Sequence, residues 1–263
     1  MKIAIIGAGN MGGAIARGLA QGTRIKAENI TVSDPDNETL ETLKASCPPV
    51  QTTHNNQEAV DDAEMVIIAV KPWLVKEVIA QVTFHFDKQI IASVAAGIPF
   101  SDYMEWFNRR ITFYRPVIFR LVPNIAISQL SSMTLIASLH ATKEQEAFVL
   151  NLFNEMGRAM LIPEEQIPAT TALSSCGIAY VLKYIQAAMQ AGIEMGIYPK
   201  DAMKIVAQSV KGAAELILNN DTHPSIEIDK VTTPGGITIK GINELEQAGF
   251  GAAIIRAMKI SGK

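Results

Sequence analysis

A short apolar run, Ile3-Ala4-Ile5-Ile6, leads directly into Gly7-Ala8-Gly9-Asn10-Met11-Gly12, and a helical pattern over Met11–Gln21 follows. That order constrains the fold more than any other feature of the chain. A continuous run of Ile and Ala is what a strand covered on both sheet faces requires. The glycines then serve three ends. Gly7 allows a tight turn, Gly9 lets the backbone approach a pyrophosphate, and Gly12 lets helix and strand pack closely. The first turn of the helix offers free N–H groups and a partial positive charge to phosphates. The alternative is a glycine-rich turn with a purely structural role.

Similar runs recur. The pattern predicts strands near Lys2–Ile6, Ile30–Ser33, Met65–Val70, Gln89–Val94 and Val117–Val122. Helices fit Met11–Gln21, Asp36–Ala45, Trp73–Val82 and Pro99–Trp106. This alternation points to an α/β fold with a parallel, doubly wound sheet of Rossmann type. Strands near Met133–Ser138 and Ala159–Ile162, joined by a helix over Lys143–Met156, extend it. After Pro163 no strand pattern is evident. Helices fit Gly177–Gly196, Lys200–Asn219 and Thr238–Met258. The first of these is apolar around most of its circumference, so it must be covered on all sides, partly by a second subunit. The expected division is therefore a dinucleotide-binding domain, 1–162, and an all-α second domain, 163–263.

Composition narrows the class. With 48% hydrophobic residues the chain is not disordered, and a net charge of −3 gives no support to nucleic-acid binding. The two cysteines, Cys47 and Cys176, make neither a disulfide framework nor a thiolate metal site, and they suggest a reducing compartment. The four histidines show no ligand spacing, so no metal is expected. The longest apolar stretch, Ile178 to Met195, carries Lys183, Gln186, Gln190 and Glu194, which argues against a membrane span. No export signal is visible, so the expected location is the cytoplasm.

Further residues carry site chemistry. Asp34 ends the second strand about 22 residues past Gly12, the spacing of an acid that accepts from a ribose 2′-hydroxyl and repels a 2′-phosphate. No Arg or Lys follows until Lys44, which favours NADH. Equally, Asp34 and Asp36 could form a turn around Pro35 and cap the next helix. Ala69-Val70-Lys71-Pro72 and Val94-Ala95-Ala96-Gly97 close the next two strands at their carboxyl ends, where ligands bind in open α/β sheets. Lys71 reads as a site residue or an ordinary surface lysine. Thr232-Thr233-Pro234-Gly235-Gly236-Ile237-Thr238 precedes the last predicted helix. Its turn and the helix N-terminus form a small anion pocket suited to a substrate carboxylate; a helix entry capped by threonine is the alternative.

Taken together, Gly7–Gly12, Ala69–Pro72, Val94–Gly97, Pro123-Asn124 and the segment Val231–Glu246 resemble the pyrroline-5-carboxylate reductase family over nearly the whole chain. The resemblance implies an enzyme that makes L-proline by reducing 1-pyrroline-5-carboxylate with NADPH or NADH. It implies a Rossmann domain and a helical domain that interlocks into a homodimer, in some members built into larger rings. Gly7, Ala8, Gly9, Asn10, Met11 and Gly12 would hold the pyrophosphate, and Ser33 and Asp34 would face the adenosine ribose. Asn56 would touch the cofactor, and Ala69, Val70, Lys71, Pro72 and Ala95 would line its other half. Thr233, Gly235, Gly236, Ile237 and Thr238 would take the substrate carboxylate and ring, with Thr238 near the imine nitrogen as the catalytic hydrogen-bond donor. A protonated cyclic imine needs orientation, a dry pocket and one hydrogen bond to nitrogen, but no metal or covalent nucleophile.

The chain departs from the family pattern on the expected substrate side. Ile125-Ala126 replace the usual Thr-Pro. Ser175, Cys176 and Ile178 interrupt the usual Ser-Gly-Ser-Gly-Pro run, and Ile237 replaces Thr or Ala. Two alternatives stay open: a related Rossmann oxidoreductase acting on another imino or hydroxy acid, and a non-enzymatic NAD(P)-binding regulatory protein. The β-hydroxyacid dehydrogenases fit less well, because Lys183 lacks the glycine-rich setting of their catalytic lysine.

Overall fold

A computed structural model of the chain describes residues 1–108 and 115–262. Eight strands form one sheet in the order β3-β2-β1-β4-β5-β6-β7-β8. They are β1 (Ile3–Ile6), β2 (Ile30–Ser33), β3 (Gln51–Thr53), β4 (Met65–Ile68), β5 (Ile90–Ser93), β6 (Val117–Val122), β7 (Ser132–Leu139) and β8 (Gly157–Leu161). The strands from β3 to β6 pair in parallel, as expected. The strands that extend the sheet join it through one antiparallel pair: β6 and β7 are antiparallel, with Phe119 opposite Ser138. The short connection 123–131 holds only a 3-10 turn, and a parallel crossover needs a longer path.

Helices α1 (Asn10–Gln21), α2 (Asn37–Ser46) and α6 (Lys143–Asn154) cover one face of the sheet. Ile15, Leu19, Leu43, Leu152 and Phe153 pack there against Ile3 and Ile5. Helices α3 (Asn56–Asp61), α4 (Pro72–Gln81) and α5 (Phe100–Asn108) cover the other, where Val60, Val75, Ile79 and Tyr103 meet Ala4 and Ile6. Both faces of β1 are thus fully buried, at about 1.5–3 kcal/mol for each large side chain. This is why these strands read as continuous apolar runs. Apolar periodicity does not reveal β3 or α3. β3 is a three-residue strand of Gln and Thr, and α3 is a six-residue helix entered through Asn55, whose side chain accepts from the Gln57 and Glu58 N–H groups.

Two polar contacts tie the core together. Arg120, almost buried on β6, donates to Glu164 Oε1 at 2.6 Å, and the Phe100 N–H donates to the same oxygen at 2.7 Å. Tyr103, wholly buried on α5, donates to Ser93 Oγ at 2.6 Å, and the Ala95 N–H donates to that oxygen at 3.2 Å. Burial raises the Tyr103 phenol to about 12, although the Ser93 contact works in the opposite direction.

The chain divides into two units, Met1–Ser175 and Cys176–Lys263. The first ends in α7 (Ile167–Thr171) and a π-helical turn, Ala172–Cys176, that runs on into the second. The second unit is helical: α8 (Gly177–Glu194), α9 (Pro199–Asn220), α10 (Pro224–Val231), α11 (Ile237–Gln247) and α12 (Phe250–Ser261). The single helix expected over Thr238–Met258 is two, because Gly249 takes a left-handed φ of 76° and ends the first. The eight-residue α10 was also unforeseen. The all-round burial expected for α8 is not met within one chain. Val181 is 45% exposed and Leu182 56%, and only Gly177 on that helix is buried.

A titration tests the Tyr103 contact. The folded state holds the phenol neutral, so its contribution is complete below pH 10 and is lost as pH rises from about 10 to about 12. Urea unfolding of the wild type and Tyr103→Phe should show the variant weaker by about 1 kcal/mol at pH 8, with the gap closing above pH 10. A gap independent of pH would remove the phenol from the alkaline loss.

Candidate cofactor cleft and a second helix-entry loop

The carboxyl ends of β1, β2, β4 and β5 open onto a cleft of about 770 Å³. Its floor is the glycine turn after β1. The Gly7 N–H donates to Ser33 O at 2.7 Å, and Gly7 takes a φ of 103°, a conformation that L side chains rarely adopt. At Gly12 a methyl group would lie 1.9 Å from the Gly7 carbonyl oxygen, so only glycine lets α1 sit against the turn. At Gly9 a methyl group would meet nothing within 4 Å, and Gly9 lines the cleft. No side chain caps the N-terminus of α1 among the described residues. The turn therefore leaves a glycine-walled space in front of free N–H donors, which fits a pyrophosphate.

The expected cofactor residues gather here. Gly7, Gly9, Asn10, Met11, Ser33, Asp34, Asn56, Ala69, Val70, Lys71, Pro72 and Ala95 all line the cleft. Ala8 and Gly12 lie behind it: Gly12 packs on the turn, and Ala8 donates its N–H to Asp34 Oδ2 at 2.7 Å. That bond separates the two aspartates. Asp34 holds the glycine turn and faces the cleft. Asp36 alone caps α2, accepting from the Thr39 N–H at 2.8 Å. The Thr39 hydroxyl and N–H, aided by His54, hold the Asp36 carboxyl below its usual range. Ser33 donates to Asn56 Oδ1 at 2.7 Å, which fixes both at the cleft wall.

The cleft also has walls that spacing did not indicate: His54, Leu74, Glu77, Val78 and Gln81. The last four follow Pro72 on one face of α4. Their positions i, i+3, i+4 and i+7 carry the signal, but the apolar members read equally well as core.

In the second unit, the loop before α11 forms a cradle of its own. Gly235 takes a φ of 71°, and the Gly236 N–H closes a turn to Thr233 O at 2.9 Å. No side chain caps α11, so the capping alternative for this loop fails among the described residues. Thr232 instead turns back, donating to Ile228 O at 3.1 Å. Thr233 and Thr238 are exposed, and Ile237 is 87% exposed. The Thr238 hydroxyl has no hydrogen-bond partner among the described residues.

These features define a Rossmann-type dinucleotide-binding protein with a second, helical unit. Residues 164–262 match the family model for pyrroline-5-carboxylate reductase dimerisation, and residues 2–97 match that for NADP oxidoreductase, coenzyme F420-dependent. Pyrroline-5-carboxylate reductase 2 of Dictyostelium discoideum is 38% identical over 276 residues, spanning 100% of this chain and 91% of that protein. Pyrroline-5-carboxylate reductase of Methanosarcina acetivorans is 33% identical over 259 residues, spanning 98% and 94%. The chain spans 48% of another relative, pyrroline-5-carboxylate reductase 1 of Dictyostelium discoideum, at 36% identity. Among solved structures, 1-pyrroline-5-carboxylate reductase of Streptococcus pyogenes superposes with a TM-score of 0.85 at 29% identity, covering 100% of this chain and 96% of that one. The Plasmodium falciparum pyrroline carboxylate reductase with NADP bound shares the fold, with a TM-score of 0.86 at 24% identity, covering 100% and 95%. The chain belongs to the pyrroline-5-carboxylate reductase family.

Two alanine substitutions separate packing from binding. Gly9→Ala should leave unfolding within about 0.5 kcal/mol of wild type and weaken dinucleotide binding about tenfold or more. Gly12→Ala should lower stability by about 3 kcal/mol or more, because backbone must move. Calorimetry with a binding titration checks both. Equal effects on stability would sink the distinction.

Proposed function

We infer that the protein is an NAD(P)H-dependent pyrroline-5-carboxylate reductase that reduces 1-pyrroline-5-carboxylate to L-proline in proline biosynthesis. One observation carries this reading: two uncapped helix entries behind glycine turns, one in the sheet unit and one before α11, in a chain of this family. They supply one anion site for a pyrophosphate and one for a substrate carboxylate.

The bound dinucleotide supplies the hydride. The chain's own residues supply position. The turn at Gly7–Gly12 and the first N–H groups of α1 hold the pyrophosphate, while Ser33, Asp34 and Asn56 hold the adenosine side. Ala69, Val70, Lys71, Pro72 and Ala95 bound the other half. Gly235, Gly236 and the first turn of α11 take the substrate carboxylate, beside Thr233 and Ile237. The imine arrives protonated, so its N–H donates to the Thr238 hydroxyl oxygen; this bond orients the ring, and Thr238 need not yield a proton. We assign cofactor binding to residues 1–162 and substrate binding and dimerisation to 163–263. The working species is a homodimer in the cytoplasm, in which a partner covers the exposed apolar side chains of α8.

Purified protein should oxidise NADH or NADPH only when 1-pyrroline-5-carboxylate is added, with one proline formed per cofactor consumed. No oxidation, with cofactor still bound, would favour another imino or hydroxy acid, in keeping with the changes at Ile125, Ser175, Cys176, Ile178 and Ile237. Thr238→Ala should lower kcat about tenfold and leave the cofactor Kd unchanged, since one hydrogen bond is lost. An unaltered kcat would remove Thr238 from the mechanism. Sedimentation should find no species smaller than a dimer at micromolar concentration.

A further inference from the structure

We propose that the adenosine end of the cleft is built to select NADH against NADPH, with the carboxylate of Asp34 as the specificity-determining group. The inference rests on reading the cleft as the dinucleotide site, and it deepens that reading by choosing between the two cofactors.

Four observations support it. First, the Asp34 carboxylate is fixed at the cleft wall. Oδ2 accepts from the Ala8 N–H at 2.7 Å and Oδ1 from the Asp36 N–H at 2.9 Å. A group held by two backbone donors, one of them in the pyrophosphate turn, cannot swing aside to admit a phosphate. Each oxygen keeps a second lone pair for a ribose hydroxyl.

Second, donors that could wrap a 2′-phosphate at this end are already engaged. The backbone N–H groups of Ala8 and Asp36 go to Asp34, and the Ser33 hydroxyl goes to Asn56. His54 lies with Nδ1 2.9 Å from the Asp34 carbonyl oxygen. A carbonyl only accepts, so that nitrogen carries its proton and spends it on the backbone.

Third, no arginine lines the cleft among the described residues, and Lys71 is the one lysine that does. Lys71 follows β4, two strands across from β2 in the order β2-β1-β4, so about 10 Å from the Asp34 end. Lys44, the first basic residue after β2, donates to Val50 O at 2.7 Å. Fourth, the neighbouring charges add to the repulsion. Asp36 lies beside His54, Glu58 accepts from Thr53 on β3, and Glu77 lines the cleft from α4. A 2′-phosphate would meet carboxylates and no fixed cation, whereas a 2′-hydroxyl would meet an acceptor of the right kind.

Direct binding tests this, with no imino acid present. Kd values for NADH and NADPH are measured by nucleotide fluorescence on the full-length protein at low and high salt. The wild type should bind NADH at least about tenfold more tightly, as expected for one unit of charge repelled at close range. Salt should narrow that ratio, because it screens the repulsion. Asp34→Asn keeps the shape and removes the charge. It should tighten NADPH about tenfold, weaken NADH a few-fold and reduce the salt dependence of the ratio, the neighbouring carboxylates keeping the remainder. The salt series on the wild type needs no variant, so a poorly folding Asp34→Asn does not remove the test. NADPH bound as tightly as NADH by the wild type overturns the proposal. So does a ratio that neither salt nor Asp34→Asn moves. Binding of neither dinucleotide overturns the cleft reading beneath it. NADH selectivity without imine reduction overturns the proposed reaction and sustains this inference.

Discussion

The contact between Gly12 and the Gly7 carbonyl decides where everything else stands. With no side chain at Gly12, the first turn of α1 lies against the end of β1. Ala69, at the end of β4, completes the packing: a methyl on Gly12 would be 3.1 Å from its Cβ. The helix axis is thereby aimed from the strand ends at which β2 and β4 leave β1 in opposite directions. An open sheet has a crevice at that point, and here the crevice receives the positive end of a helix. Asp34 and Asn56 reach the crevice only because β2 and β3 continue the sheet on that side. Lys71 and Ala95 reach it because β4 and β5 continue it on the other.

In Asp34 a scaffold bond and the proposed cofactor selectivity fall on one group. Its carboxylate bonds the glycine turn through Ala8, so it belongs to the scaffold. The same charge faces the cleft. A sequence drifting toward NADPH use would have to give up a scaffold bond before it gained a phosphate contact. A serine or arginine there would leave the Ala8 N–H to find another acceptor, at a cost typical of an unmade buried hydrogen bond.

How far the sequence could be read depended on burial. β1, β4 and β5 are buried on both faces, and their runs of Ile, Val and Ala stood out. β3 escaped notice because it is an edge strand of Gln and Thr with no apolar alternation. The break at Gly249 is a single residue's φ, inside a pattern that otherwise continues. The antiparallel turn of β7 depended on the length of one connection rather than on composition. At the site, spacing located the aspartates but could not aim them. Only the Ala8 and Thr39 bonds show which one holds the glycine turn at the cleft and which one caps a helix. The wall along α4 was hidden because Leu74 and Val78 look the same whether they meet core or ligand.

The exposed apolar faces of the second unit have a consequence for the protein as a cellular component. Val181, Leu182, Tyr184 and Ile193 of α8, and Ile205 and Leu218 of α9, all lie open in the single chain. Each costs free energy while water covers it, and that free energy is recovered only by association. The stability of the folded unit then obeys mass action. Dilution acts on it as a denaturant does, and the rate at which a cell makes the chain sets part of the temperature the protein survives.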